Sequence, residues 1–151
     1  MSIKTQIEQD LKQAMLAGDK TLVTTLRGLK SAILNVEVAE GARETGLPDS
    51  EIIDILSKEA KKRQESVEMY VQGGSPERAE AEATEKQVIE KYLPEQLTEE
   101  AVSQLVSEVI AELGAAGMQA MGQVIGKVKE RSKGSADGAV IAKIVKEKLA
   151  V

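Results

Sequence analysis

Apolar positions recur along this chain every three or four residues, and small or rigid residues punctuate the runs. Ile3, Ile7, Leu11 and Ala14 share one face of a first predicted helix, which starts at a capping Ser2 and stops at Gly18. Asp19 opens a second helix reaching about Glu40, with Leu22, Leu26, Leu29, Ile33 and Val36 at heptad-like spacing. Gly41 to Pro48 reads as a loop. A long third helix then runs from Asp49 or Ser50 to Gln72, where Gly73-Gly74 ends it. Ser75-Pro76 predicts a restart, a capping serine followed by proline at the first helical position, and this fourth helix carries the chain to Leu93.

Pro94 breaks the pattern, because proline disfavours a helical predecessor and removes an amide donor. The boundary between two domains, 1–93 and 94–151, therefore falls at Tyr92 to Thr98, with Tyr92 and Pro94 as the hinge. Three shorter helices follow. Thr98 caps the fifth, which buries Val102, Leu105, Val106, Val109 and Leu113 and stops at Gly114. The sixth runs from about Met118 to Ser132, with Met118, Met121, Ile125 and Val128 as its core face and Gly134 as its stop. Asp137 caps the seventh, which ends the chain with Val140, Ile141, Ile144, Val145 and Leu149. The expected fold is all-α: an N-terminal four-helix hairpin-type domain and a C-terminal three-helix bundle.

Composition narrows the chemistry. The chain has 151 residues but no Phe, Trp, Cys or His, and Tyr70 and Tyr92 are its aromatics. Histidine is the usual acid–base group near neutrality and the commonest metal ligand. Its absence, with that of cysteine, excludes Ser-His and Cys-His catalysis and structural zinc. No metal and no cofactor is expected. The N-terminus lacks a secretory pattern, and no apolar run approaches the roughly 20 residues that span a bilayer. These features, with the absence of disulfides, lead to an expectation of a cytoplasmic protein.

Some charges fall where the wheel expects apolar residues. Arg63 lies within the stripe of Ile52, Leu56, Ala60, Val67 and Tyr70, while Glu82 and Glu85 share a face with Ile89, Tyr92 and Leu93. Arg27 and Glu37 sit at the edge of the second helix's apolar arc. Buried charges must find partners or lose their charge. Arg27, Arg63, Glu82 and Glu85 are thus expected to form a structural ion-pair network. The other reading, carboxylates poised for acid–base work, needs one of them isolated and desolvated.

Charge along the chain is uneven. The whole carries −5, yet Met118–Val151 holds seven cations against three carboxylates, a local +4. Pro94–Gly117 just before it has five carboxylates and no cation. A basic tail points to an anionic partner, with nucleic acid as first candidate. On the sixth helix Gln119, Gln123, Lys127 and Arg131 repeat every four residues in a slanted stripe. Lys129, Lys133, Lys143 and Lys146 extend the cationic surface. Gly122 and Gly126 flank the apolar face; interior helix glycines cost about 1 kcal/mol each relative to alanine. Either a neighbouring helix or an external ligand must approach closely there. With no stacking aromatics in the tail, recognition would rest on phosphates, sugars and helix shape. The plain alternative is that these cations complement helix C-termini and keep the surface solvated.

Particular strings then become informative. Lys62-Arg63-Gln64-Glu65-Ser66 with Tyr70, Glu82 and Glu85, and Lys91-Tyr92-Leu93-Pro94-Glu95-Gln96-Leu97 occur in the first part. Met121-Gly122, Gly134 through Gly138, Ile144-Val145-Lys146 and Leu149 follow. Together they resemble the GatB/YqeY family over nearly the whole chain, in the manner of a stand-alone member. The resemblance implies a helical domain followed by a tail module that also ends the GatB component of the tRNA-dependent amidotransferases. There the tail helps grip tRNA, while amide transfer from glutamine occurs in a separate catalytic domain with no counterpart in this chain. The label of a carbon–nitrogen ligase with glutamine as amido-N-donor would come by association. Many relatives place an arginine shortly after the third helix and another just before the alanine-aspartate turn. This chain has Gly73-Gly74-Ser75-Pro76 in the first stretch and Ser135 in the second. The expected function is a non-catalytic accessory protein that binds tRNA or another structured RNA. The alternative is a helical adaptor docking an amidotransferase or a translation component.

Overall fold

Helix boundaries follow from local backbone bookkeeping, since each helix must satisfy the amides and carbonyls left open at its ends. The structure, a computed structural model, describes residues 1–150. All regular elements among them are helical, and the chain divides into two compact units, Met1–Leu93 and Pro94–Val151.

In the first unit, α1 (Ile3–Ala17) begins where the Thr5 amide donates to the Ser2 hydroxyl, and it ends at Gly18 with φ 72°. Helix α2 (Lys20–Ala39) starts where the Leu22 amide donates to Asp19 at 3.1 Å. Helices α3 (Asp49–Gln72) and α4 (Pro76–Glu90) form the long hairpin. Two local expectations need correction. Ser75 occupies the cap position of α4 but its side chain makes no cap bond. Its backbone amide closes α3, donating to the Tyr70 carbonyl at 2.8 Å. Helix α4 also stops at Glu90 rather than at Leu93, because the amides of Tyr92 and Leu93 turn back in shorter-range bonds to Ile89 and Glu90.

The core of this unit is built from Ile7, Leu11, Leu26, Leu29, Ile33, Ile52, Leu56 and Ile89. It stops at Ala60 on α3. Toward the hairpin tip, only Ala79 is buried, while Val67 and Tyr70 are half-buried. That distal end is held by polar contacts instead, including the Arg78 guanidinium 6.0 Å from the Tyr70 ring centroid. Glu37, read from the sequence as an edge position, is 1% exposed. The Lys4 ammonium lies 2.8 Å from its Oε1 and donates to Oε2 at 3.1 Å. A carboxylate this buried requires such a partner.

In the second unit, α5 (Glu99–Leu113) is capped by Thr98, which accepts from the Ala101 amide, and ends at Gly114 with φ 60°. The predicted sixth helix starts differently. Met118–Ala120 form a 3-10 turn, and the α-helix proper, α6, spans Met121–Ser132. Met118 is consequently 44% exposed rather than part of the core face. Helix α6 closes on Lys133, which adopts φ 49° one residue before Gly134. Helix α7 (Gly138–Leu149) starts where the Ala139 amide donates to Asp137. Val102, Val106, Val109, Val124, Val128, Ile141 and Val145 fill the core. Compact β-branched side chains suffice because only three short helices meet. The segment leading into α5 is strapped to the α6–α7 turn: the Leu97 amide donates to the Ser135 carbonyl at 2.7 Å. No helix among the described residues is long and apolar enough to cross a membrane.

Candidate nucleic-acid interface

Helix α6 buries Val124, Val128 and Ser132 against the rest of its unit. That choice of core face determines where every other residue points. Gln119 and Gln123 are exposed, and Lys127 and Arg131 follow on the same slanted row. Met121 and Ile125 are half-buried at the core margin. Gly122 and Gly126 are exposed on the next face round, which Lys129 shares at helical spacing. A Cβ added at either glycine would meet nothing within 4 Å. Of the two explanations for this pair, close packing by a neighbouring helix is therefore corrected: none lies against it.

The cations of the tail fall into two groups. Arg131 is paired with Glu112 of α5, and Lys127 lies 3.7 Å from Glu130 one turn away. Lys129, Lys133, Lys143 and Lys146 are exposed and have no carboxylate within ion-pair distance among the described residues. Lys129 runs along α6 toward the start of α7, where its Cε would lie 3.4 Å from a Cβ on Gly138. A cation beside the positive end of a helix is electrostatically unfavourable without an anion nearby. Asp137 partly meets that need, although its carboxylate already accepts from Ala139 at 3.0 Å. The interface is an open surface. A separate groove of about 600 Å³ in the same unit is lined by Glu99, Glu100, Ser103, Gln104, Ile144, Glu147 and Lys148, and so favours no anion.

The four residues named for an internal ion-pair network do not all meet. Arg63 Nε donates to Glu85 at 2.8 Å and lies 3.8 Å from Glu82, and Glu59 of its own helix adds a contact at 3.4 Å. Arg27 is exposed and takes no part among the described residues, because the face it occupies on α2 turns away from the core. Each of these carboxylates lies within ion-pair distance of the Arg63 guanidinium. Of the two residues expected at a hinge, Tyr92 packs against the first unit's core and donates its hydroxyl to Asp10. Burial first, and that bond second, push its phenol well above the ordinary tyrosine range. Pro94 is half-buried at the start of the second unit.

Sequence reasoning missed Glu112 and Glu130 as partners of the stripe. Glu130 was within reach of an i,i+3 search from Lys127. Glu112 had no local signal, since its contact depends on how α5 packs against α6.

Residues 4–149 match the family described as Yqey-like protein. Among curated proteins, the chain is similar to Altered inheritance of mitochondria protein 41, mitochondrial, of several yeasts. It is 37% identical over 87 residues to that of Eremothecium gossypii, a match covering 58% of this chain and 46% of the relative. The corresponding protein of Kluyveromyces lactis is 34% identical over 86 residues, covering 57% and 45%. That of Clavispora lusitaniae is 32% identical over 92 residues, covering 61% and 52%. The chain thus spans about half the length of the curated relatives it matches. These relatives are mitochondrial by name, which overturns the expectation of a cytoplasmic protein. That expectation rested on missing cysteines and apolar spans, features that do not distinguish one reducing compartment from another.

Proposed function

For a chain that belongs to the Yqey-like protein family, we propose a non-catalytic role in binding structured RNA, with tRNA as the first ligand to test. The observation that carries this reading is the face of α6 where open Gly122 and Gly126 lead to Lys129, which has no ion-pair partner among the described residues. Gly126 carries the stability cost of an interior helix glycine and Gly122 lies in the first turn, and neither has a packing partner among the described residues. A phosphodiester backbone lying along that face would use both the room and the charge. Lys133, Lys143 and Lys146 would contact neighbouring phosphates, and Gln119 and Gln123 would offer donors to sugars or groove edges. The resemblance to the tail of the amidotransferase component GatB makes tRNA the natural ligand; amide transfer itself is not proposed for this chain.

Affinity for a labelled tRNA transcript, measured across a salt series, tests the proposal. If about five phosphates are neutralised, the log–log slope is roughly −3.5 to −4.5. The triple variant Lys129→Glu/Lys133→Glu/Lys143→Glu is expected to lose most of the affinity and flatten the slope. Equal binding by both proteins, or no binding by either, refutes the RNA role.

A second reading has its own support. Met69 and Val71, near the tip of the α3–α4 hairpin, are 71% and 61% exposed. Exposed apolar side chains on an element with little core beneath it suit docking to another protein. In that case the chain is an adaptor for an amidotransferase or a translation component, and RNA binding is absent.

A further inference from the structure

Two cations of the proposed RNA surface are already occupied. Arg131 is held by Glu112 from the neighbouring helix, and Lys127 by Glu130 on its own. Counted together these four side chains sum to zero charge, so at rest the stripe attracts no anion. The attraction comes from Lys129, Lys133, Lys143 and Lys146, which have no such partner among the described residues. We infer that Glu112 and Glu130 are internal competitors for the phosphates of the ligand, making them specificity-determining residues of the cationic stripe; this rests on the RNA reading above.

The physical basis is direct. A carboxylate and a phosphate present the same chemistry to a guanidinium: paired anionic oxygens accepting from the N–H fork. One must leave before the other can bind. The pairs are open to water, with Glu112 and Glu130 side chains 52% and 73% exposed. Exposed ion pairs contribute little, so a ligand can displace them. The ligand must, however, bring phosphates to both Lys127 and Arg131 while it is held by the unpaired lysines. An extended, structured polyanion does this. A single phosphate or a mononucleotide reaches one cation at a time and gains nothing from the exchange.

The experiment compares tRNA affinity, by fluorescence anisotropy at fixed salt, for the wild type, Glu112→Gln, Glu130→Gln and the double variant. Glutamine keeps the shape and removes the charge, and thermal melts verify that each variant is folded. Each single change is expected to tighten binding about two- to five-fold, the range set by the weakness of exposed pairs. The double variant should approach the product of the two. Glu100→Gln, at the far end of α5, removes the same charge away from the stripe and should leave affinity unchanged. In the Glu112→Gln background, Arg131→Gln should erase the gain, which identifies the pair as its source. Unchanged or weaker binding by Glu112→Gln overturns the inference, as does equal tightening by Glu100→Gln. If the triple lysine variant loses binding while Glu112→Gln does not tighten it, the inference fails and the RNA reading stands. If the wild type does not bind tRNA, both fail together.

Discussion

The Tyr92 hydroxyl donates to Asp10 while its ring packs against the core of the first unit. Burial and that bond both favour the neutral phenol, so its proton is held more tightly in the folded chain than in the unfolded one. The stability that results is fully present below the unfolded tyrosine pKa of about 10. It is lost as pH rises from there toward the higher folded value. Chemical denaturation at pH 9 and at pH 11.5 should therefore show a larger loss for the wild type than for Tyr92→Phe, which has no phenol to ionise. An equal loss in the two proteins would mean that neither burial nor the Asp10 bond favours the neutral phenol. Glu37 teaches a related lesson. Its position at the edge of the apolar arc was visible in the sequence, but its burial was not. That required α1 to bring Lys4 over it.

Among the elements, the caps separate motif from mechanism. Asp19 and Ser75 both read as helix starts, yet only Asp19 accepts a backbone amide. Asp19→Ala is expected to destabilise the first unit by about 1 kcal/mol, whereas Ser75→Ala should change it little; urea melts of both variants decide this. Ser75 closes α3 through its backbone amide, while its hydroxyl accepts no amide of α4. The hairpin itself shows why charges entered the apolar stripe of α3. Past Ala60 no residue of α3 is fully buried, and Arg63 holds α4 through Glu82 and Glu85 instead. Periodicity located that arginine correctly on the inward face. It could not show that Arg27, equally placed at the edge of an arc, would face water.

For the molecule as a whole, the candidate interface sets stability against binding. Gly122→Ala and Gly126→Ala meet no neighbour among the described residues, so Gly126→Ala, in the interior of α6, should stabilise the helix by about 1 kcal/mol, and Gly122→Ala, in its first turn, by less. If RNA approaches this face closely, the same substitutions should weaken tRNA binding. A stabilised variant with unchanged affinity would place the ligand elsewhere. The all-helical class, the order of the helices and most of their ends were legible in the sequence, because they depend on period, caps and breakers within a few residues of one another. The cations of the tail were legible too, but not their state. Whether Arg131 is free or held by Glu112, whether the glycine pair is covered or open, and whether Glu37 is buried were decided only by how the helices pack. Those contacts join residues far apart in the chain, and no local pattern encodes them.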